Sequence, residues 1–139
     1  MNHTYQKNKI LCILQVRGGS KGVPKKNIRE VNGKPLMTWT IESAKKSGVF
    51  DGIWVSSDSD EILEVGIKEK VDTIKRPEEL SGDEVLSVDS LHWAVDNIEK
   101  QLTNYCGSIN ILVLHKQVNI LLFQQVCNLT HIFYTSTQS

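Results

Sequence analysis

The chain has 139 residues with 16 basic and 16 acidic side chains, so its formal charge is zero, and 40% of its residues are hydrophobic. That length suits one domain with a real core, and the balanced charge gives no overall attraction for nucleic acid or an anionic membrane. No apolar run is long enough to span a bilayer, residues 1–7 lack a signal-peptide core, and Cys12, Cys106 and Cys127 form no metal or redox motif, which suggests reduced thiols in a cytoplasmic protein.

Residues 1–100 alternate strand and helix signals, which predicts an α/β fold with a mostly parallel sheet and flanking helices. The apolar run at 10–14 predicts a buried strand over 9–16. A helix follows over 35–46, with Pro35 suited to its first turn and Gly48 to its C-cap. A second strand is expected at 52–56. Asp58 stands three residues before Glu61, a capping-box spacing that predicts a helix from there to about 70. A short third strand at 72–74 leads to a helix over 84–102, whose apolar faces come from Val85, Val88, Leu91, Trp93, Val95, Ile98 and Leu102. A fourth strand is expected at 109–114. The histidines His3, His92, His115 and His131 have no ligand spacing.

The segment after the first strand carries the chemistry. It reads Arg17-Gly18-Gly19-Ser20-Lys21-Gly22-Val23-Pro24-Lys25-Lys26-Asn27, and six cations against one acid lie between Arg17 and Lys34. Glycines let backbone N–H groups turn toward one point and approach a ligand closely. A strand followed by such a basic loop is a common α/β device for holding phosphates. Neither the P-loop spacing nor the G-x-G-x-x-G fingerprint is present. A flexible, solvated basic loop is the competing reading.

Arg-Gly-Gly-Ser-Lys-Gly at 17–22 with Lys26-Asn27 resembles the N-terminal signature of the acylneuraminate cytidylyltransferases, which make CMP-sialic acid and related CMP-nonulosonates. Three further segments resemble that family in order: Asn32-Gly33-Lys34-Pro35-Leu36 with Thr40-Ile41-Glu42-Ser43-Ala44; Val55-Ser56-Ser57-Asp58-Ser59-Asp60-Glu61-Ile62; and Arg76-Pro77-Glu78-Glu79-Leu80-Ser81-Gly82-Asp83. The resemblance covers residues 10 to about 100. It implies a Rossmann-like fold of the nucleotide-diphospho-sugar transferase type and transfer of CMP from CTP to a nonulosonic acid with release of pyrophosphate.

That reaction requires in-line positioning and neutralisation of phosphate charge more than covalent work by the protein. Arg17 is the expected phosphate clamp, because a planar guanidinium binds phosphate oxygens bidentately. The resemblance assigns Lys26 to the α-phosphate or pyrophosphate and Asn27 to the triphosphate or ribose, leaving Arg17 and Lys26 as the catalytic candidates. Gly18, Gly19, Ser20 and Lys21 complete the CTP loop, with Lys25 a weaker candidate and solvation the alternative for both lysines. The resemblance also brings Arg76 toward the cytosine or ribose; an exposed turn arginine is the other reading. Ser81 and Asp83 either approach the ligand or cap the following helix. Gln15 either bonds the nucleotide or merely ends the strand, the second being favoured.

The acidic run Asp58-Ser59-Asp60-Glu61 invites a Mg²⁺ site, but capping and the helix dipole explain it more simply. The family uses Mg²⁺ held by two aspartates much further along, and no Asp or Glu follows Glu99 here, so the metal's ligands are not identifiable. From 101 to 139 the only charged side chain is Lys116. The family's Leu-Gln-Pro-Thr-Ser segment is replaced by Leu114-His115-Lys116-Gln117-Val118. The chain therefore divides into residues 1–114, the N-terminal part of a nucleotidyltransferase domain truncated after strand four, and an atypical tail at 115–139. An altered reading frame or truncation near 115 accounts for the tail, and so does a divergent working half. On the first view activity is weak or lost. CTP and a nonulosonic acid are the expected partners, with homodimerisation doubtful. The alternatives are a non-catalytic phosphate-binding module, or a related sugar nucleotidyltransferase such as one for a keto-deoxy-octulosonic acid, whose loop differs.

Overall fold

A computed structural model describes residues 9–19, 25–82, 84–85, 87–102, 109–114 and 134–135. Most of the tail at 115–139 lies outside the described residues, as do Ser20, Lys21, Asp83, Cys106 and Cys127. Strand β1 spans Lys9–Gln15, and a small hairpin follows from β2 (Glu30–Val31) and β3 (Lys34–Pro35). Next come α1 (Leu36–Ser47), β4 (Gly52–Ser57), α2 (Asp60–Lys68), β5 (Asp72–Lys75), α3 (Ser87–Gln101), β6 (Ile109–Leu114) and β7 (Tyr134–Thr135).

The main sheet has the order β5-β4-β1-β6-β7. β5, β4, β1 and β6 run parallel, and β7 closes the edge antiparallel to β6. The chain moves outward from β1 through β4 to β5, then returns to place β6 on the other side of β1. That reversal is a topological switch point, and ligands of open α/β sheets sit outside the carboxyl ends of the strands at such a point.

Parallel strands covered on both faces need apolar residues on both sides, which explains the unbroken apolar run of β1. Cys12, Leu14 and Val16 pack with Val55 against Met37, Ile41 and Ala44 of α1 and Ile62 of α2. Leu11 and Ile13 face the opposite way and pack with Trp54 and Ile74 against Val95 and Ile98 of α3. Ile13, Ile41 and Ile98 are fully buried, and each such side chain contributes about 1.5–3 kcal/mol relative to exposure. Gly66 permits α2 to lie close to β5, since a Cβ there would meet Thr73 Cγ2 at 2.9 Å.

The expected elements all form, with revised ends. α1 starts at Leu36, one residue after Pro35, and ends at Ser47, capped by Gly48 in the left-handed region (φ 64°), as the C-cap reading required. α2 stops at Lys68, followed by Lys70 at φ 58°. α3 begins at Ser87 rather than 84, because Val85 N–H bonds to Gly82 O and closes a separate turn first. Ser81 therefore does not cap it. The β2–β3 hairpin was not anticipated, although Asn32-Gly33 marks it: both residues have positive φ (50° and 85°), which a two-residue hairpin turn of the favoured hand demands. Trp39 Nε1–H donates to Val31 O at 2.8 Å and Lys34 Nζ lies over the Trp39 ring, so the hairpin is tied to α1.

Candidate active site

Three neighbouring parallel strands end at the same edge of the sheet, and the residues just beyond them converge. β1 ends at Gln15, and Val16 N–H extends its pairing by donating to Ser56 O at 3.0 Å. Arg17 and Gly18 come next. β4 ends at Ser57 and is followed by Asp58; β5 ends at Lys75 and is followed by Arg76, whose N–H donates to Ser57 O at 2.8 Å. Parallel pairing sets this register, so the edge gathers Arg17, Asp58 and Arg76 without long-range folding of loops.

Asp58 occupies the middle of the group. Its Oδ1 accepts a hydrogen bond from Gly18 N–H at 2.9 Å and lies 3.8 Å from Arg76 Nη2. The loop passes so close that a Cβ on Gly18 would stand 2.9 Å from Ser59 Cβ. Glycine is needed here for proximity. The capping-box reading of Asp58 is corrected: Ser59, not Asp58, occupies the N-cap of α2, in extended backbone, and the Asp58 carboxylate accepts from the loop amide of Gly18 instead.

Arg76 is 5% exposed, which removes the exposed-turn reading. Its Nε–H donates to Ser81 Oγ at 3.0 Å, and the Ser81 hydroxyl donates onward to Pro77 O at 3.2 Å. Burial pushes the guanidinium pKa down, Asp58 pulls it back up, and the charge of Arg17 pushes it down again. Guanidinium stays protonated in proteins, so the site holds two positive charges, with the Asp58 carboxylate beside that of Arg76. Such an arrangement attracts a polyanion.

The far end of the basic loop is anchored beside the same helix terminus. Lys25 sits in the left-handed region (φ 51°) and pairs with Glu61 at 2.9 Å. This contact is solvent-exposed, so its net worth is small. A 3₁₀ turn over Lys26–Ile28 follows, with Lys26 exposed. Asn27 Nδ2–H donates to Arg17 O at 3.4 Å and joins the two ends of the loop. Arg17, Gly18, Gly19, Lys26, Asn27, Arg76 and Ser81 thus belong to one edge of the sheet, while Ser20 and Lys21 lie outside the described residues. Gln15 does end β1, and its buried Nε2 has no hydrogen-bond partner among the described residues.

The acidic run at 58–61 does not fit a Mg²⁺ site. Asp58 faces an amide and a guanidinium, Asp60 pairs with Lys75 at 2.6 Å, and Glu61 pairs with Lys25. No group of three or more His, Cys, Asp or Glu side chains among the described residues could hold a metal ion. The residue missed from sequence was Asp58 in its bridging role. A positional signal existed, since it stands immediately beyond a parallel strand, as Arg76 does.

The match to known proteins falls on these elements. Residues 11–91 match the family model for cytidylyltransferase. The chain belongs to the cytidylyltransferase family. It is 43% identical over 94 residues to a pseudaminic acid cytidylyltransferase from Campylobacter jejuni subsp. jejuni serotype O:23/36 (strain 81-176), covering 67% of this chain and 40% of that one. It is 42% identical over 82 residues to N-acylneuraminate cytidylyltransferase A of Danio rerio, covering 59% of this chain and 19% of that one. The chain therefore spans less than half the length of these relatives. A solved CMP:2-keto-3-deoxy-manno-octonic acid synthetase complexed with CTP superposes with a TM-score of 0.64 at 16% identity, covering 86% of this chain and 46% of that one. At that identity the likeness concerns the fold, which is the cytidylyltransferase α/β architecture expected from the sequence. Among the described residues no helix is long and apolar enough to cross a membrane.

Proposed function

We propose that this chain binds CTP at the carboxyl edge of its sheet and serves transfer of CMP to a nonulosonic acid. The observation that carries the reading is the convergence of the glycine loop and two arginines at the strand ends beside the switch point. In the reaction, the anomeric hydroxyl of the acid attacks the α-phosphorus. The bond from that phosphorus to the bridging oxygen breaks, pyrophosphate leaves, and the hydroxyl proton passes to solvent. Arg17 holds phosphate oxygens through its guanidinium, and the Gly18 to Gly19 backbone borders the same space. Lys26 offers a compact charge to the α-phosphate or the leaving pyrophosphate, and Asn27 hydrogen-bonds triphosphate or ribose. Arg76, steadied by Ser81, faces the nucleoside. Mg²⁺ in this family supplies stabilisation of charge on the transferring phosphate and leaving group; the described carboxylates do not fit it.

Relatives bearing both the pseudaminic and the N-acylneuraminate names support a nonulosonic acid as the acceptor class. Residues 100–139 contain no Asp or Glu, so turnover by the 139-residue chain is expected to be weak or absent. The test is twofold. Calorimetry should detect CTP binding that weakens in Arg17→Ala, and a pyrophosphate assay with CTP, Mg²⁺ and N-acetylneuraminate should detect little release. CTP binding with little or no release is the result expected, whereas rapid release means that other residues complete the machinery.

A further inference from the structure

We propose that Asp58 is a positioning residue for nucleotide binding, one carboxylate that sets the glycine loop and Arg76 as a single unit. The inference rests on the CTP reading above and goes beyond it, because Asp58 need not touch the nucleotide. Two contacts from one side chain carry it: Gly18 N–H donates to Oδ1 at 2.9 Å, and Arg76 Nη2 stands 3.8 Å from the same oxygen. The loop also passes within 2.9 Å of Ser59 Cβ for a Cβ placed on Gly18, so its position is fixed by contact as well as by hydrogen bonding. Arg76 is buried, and an uncompensated buried charge reorganises its surroundings or withdraws toward water.

Electrostatics give the device its purpose. Arg17 and Arg76 are close enough for the charge of one to lower the pKa of the other. Burial and the charge of Arg17 both disfavour the Arg76 guanidinium, Asp58 opposes them, and the same carboxylate oxygen holds the Gly18 amide. The ligand then meets donors already in place and loses less affinity to ordering them. Ser81 fixes the other side of the same guanidinium through Nε–H.

Calorimetric titration of CTP into the 139-residue chain, Asp58→Asn, Asp58→Ala, Arg76→Ala and the double variant Asp58→Asn/Arg76→Ala tests this. Asp58→Asn retains an oxygen for Gly18 N–H but loses the charge facing Arg76; Asp58→Ala loses both. Affinity should fall in the order parent, Asp58→Asn, Asp58→Ala, with Asp58→Ala weaker by at least about tenfold. In the Arg76→Ala background, Asp58→Asn should change affinity by less than about twofold, since the partner it orients is gone. Amide exchange at Gly18, read by NMR without nucleotide, should accelerate in Asp58→Ala and stay near the parent rate in Asp58→Asn. If Asp58→Ala does not fold, Asp58→Asn and the double variant decide. Parent-like affinity in the Asp58 variants, or an equal effect of Asp58→Asn with and without Arg76, overturns the inference and leaves CTP binding standing. No heat for the folded parent refutes the CTP reading, and this inference with it.

Discussion

Gly18→Ala isolates the close approach on which the site depends. The new Cβ would stand 2.9 Å from Ser59 Cβ, 3.5 Å from Ser59 Oγ and 3.8 Å from Asp58 Oδ1. Ser59 is the N-cap of α2, so its Cβ is not the end of a flexible side chain. Relaxed carbon–carbon contacts lie at about 3.5–4.0 Å, so the loop must retreat by roughly 0.6 Å or more. The Gly18 N–H to Asp58 bond starts at 2.9 Å, and that retreat carries it to about the 3.5 Å limit at which a hydrogen bond is lost. A bond to a charged acceptor contributes about 1.5–3 kcal/mol, which corresponds to about 10–150-fold in affinity if the loop must be re-ordered by the ligand. The assay pairs CTP calorimetry with amide exchange at residue 18: affinity should fall by at least tenfold on this scale, and exchange should accelerate. Parent-like affinity together with unchanged protection at residue 18 would show that the loop is not held as described.

Other perturbations test separate parts of the account. Ser81→Ala leaves the buried Arg76 Nε–H without its acceptor, and thermal or urea unfolding should show a loss of about 1–3 kcal/mol. Gly66→Ala places a methyl 2.9 Å from Thr73 Cγ2 and 3.4 Å from Val55 Cγ2; overpacking of about 1–3 kcal/mol outweighs the helix-propensity gain of about 1 kcal/mol, so the melting temperature should fall. Ile98→Ala opens a cavity beneath α3 and should cost about 2–5 kcal/mol in chemical unfolding. The Lys34 hydrogen bond lowers the Glu42 pKa below its ordinary 4.5. A lowered folded-state pKa stabilises above the unfolded value and is lost as pH falls through the folded one. Stability against pH should therefore decline below about 4.5, and Glu42→Gln should flatten that decline; an unchanged acid limb would show that the pair contributes nothing.

Much of this architecture was legible because local signals agreed with tertiary ones. The run at 10–14 became the central strand since both its faces are covered, and Gly48 ended α1 because the C-cap needs the left-handed region. The hairpin was missed although Asn32-Gly33 supports it, because strands of two residues have no periodicity to read. Asp58 was misread for a different reason. Capping is a local rule, and its spacing to Glu61 satisfied that rule, yet a loop forty residues earlier in the chain claimed the carboxylate. Burial of Arg76 was equally invisible, since it depends on β5 ending beside β4. Signals within a few residues reveal elements; contacts across parallel strands decide what the polar residues at their ends do.

Calorimetry of CTP against the folded parent and Arg17→Ala tests the central claim most directly. Binding heat for the parent, with affinity reduced by about 10-fold or more when the guanidinium of Arg17 is removed, is the result expected of a triphosphate held at the ends of β1, β4 and β5. A folded parent that gives no heat, or an Arg17→Ala variant that binds CTP as tightly as the parent, would contradict it.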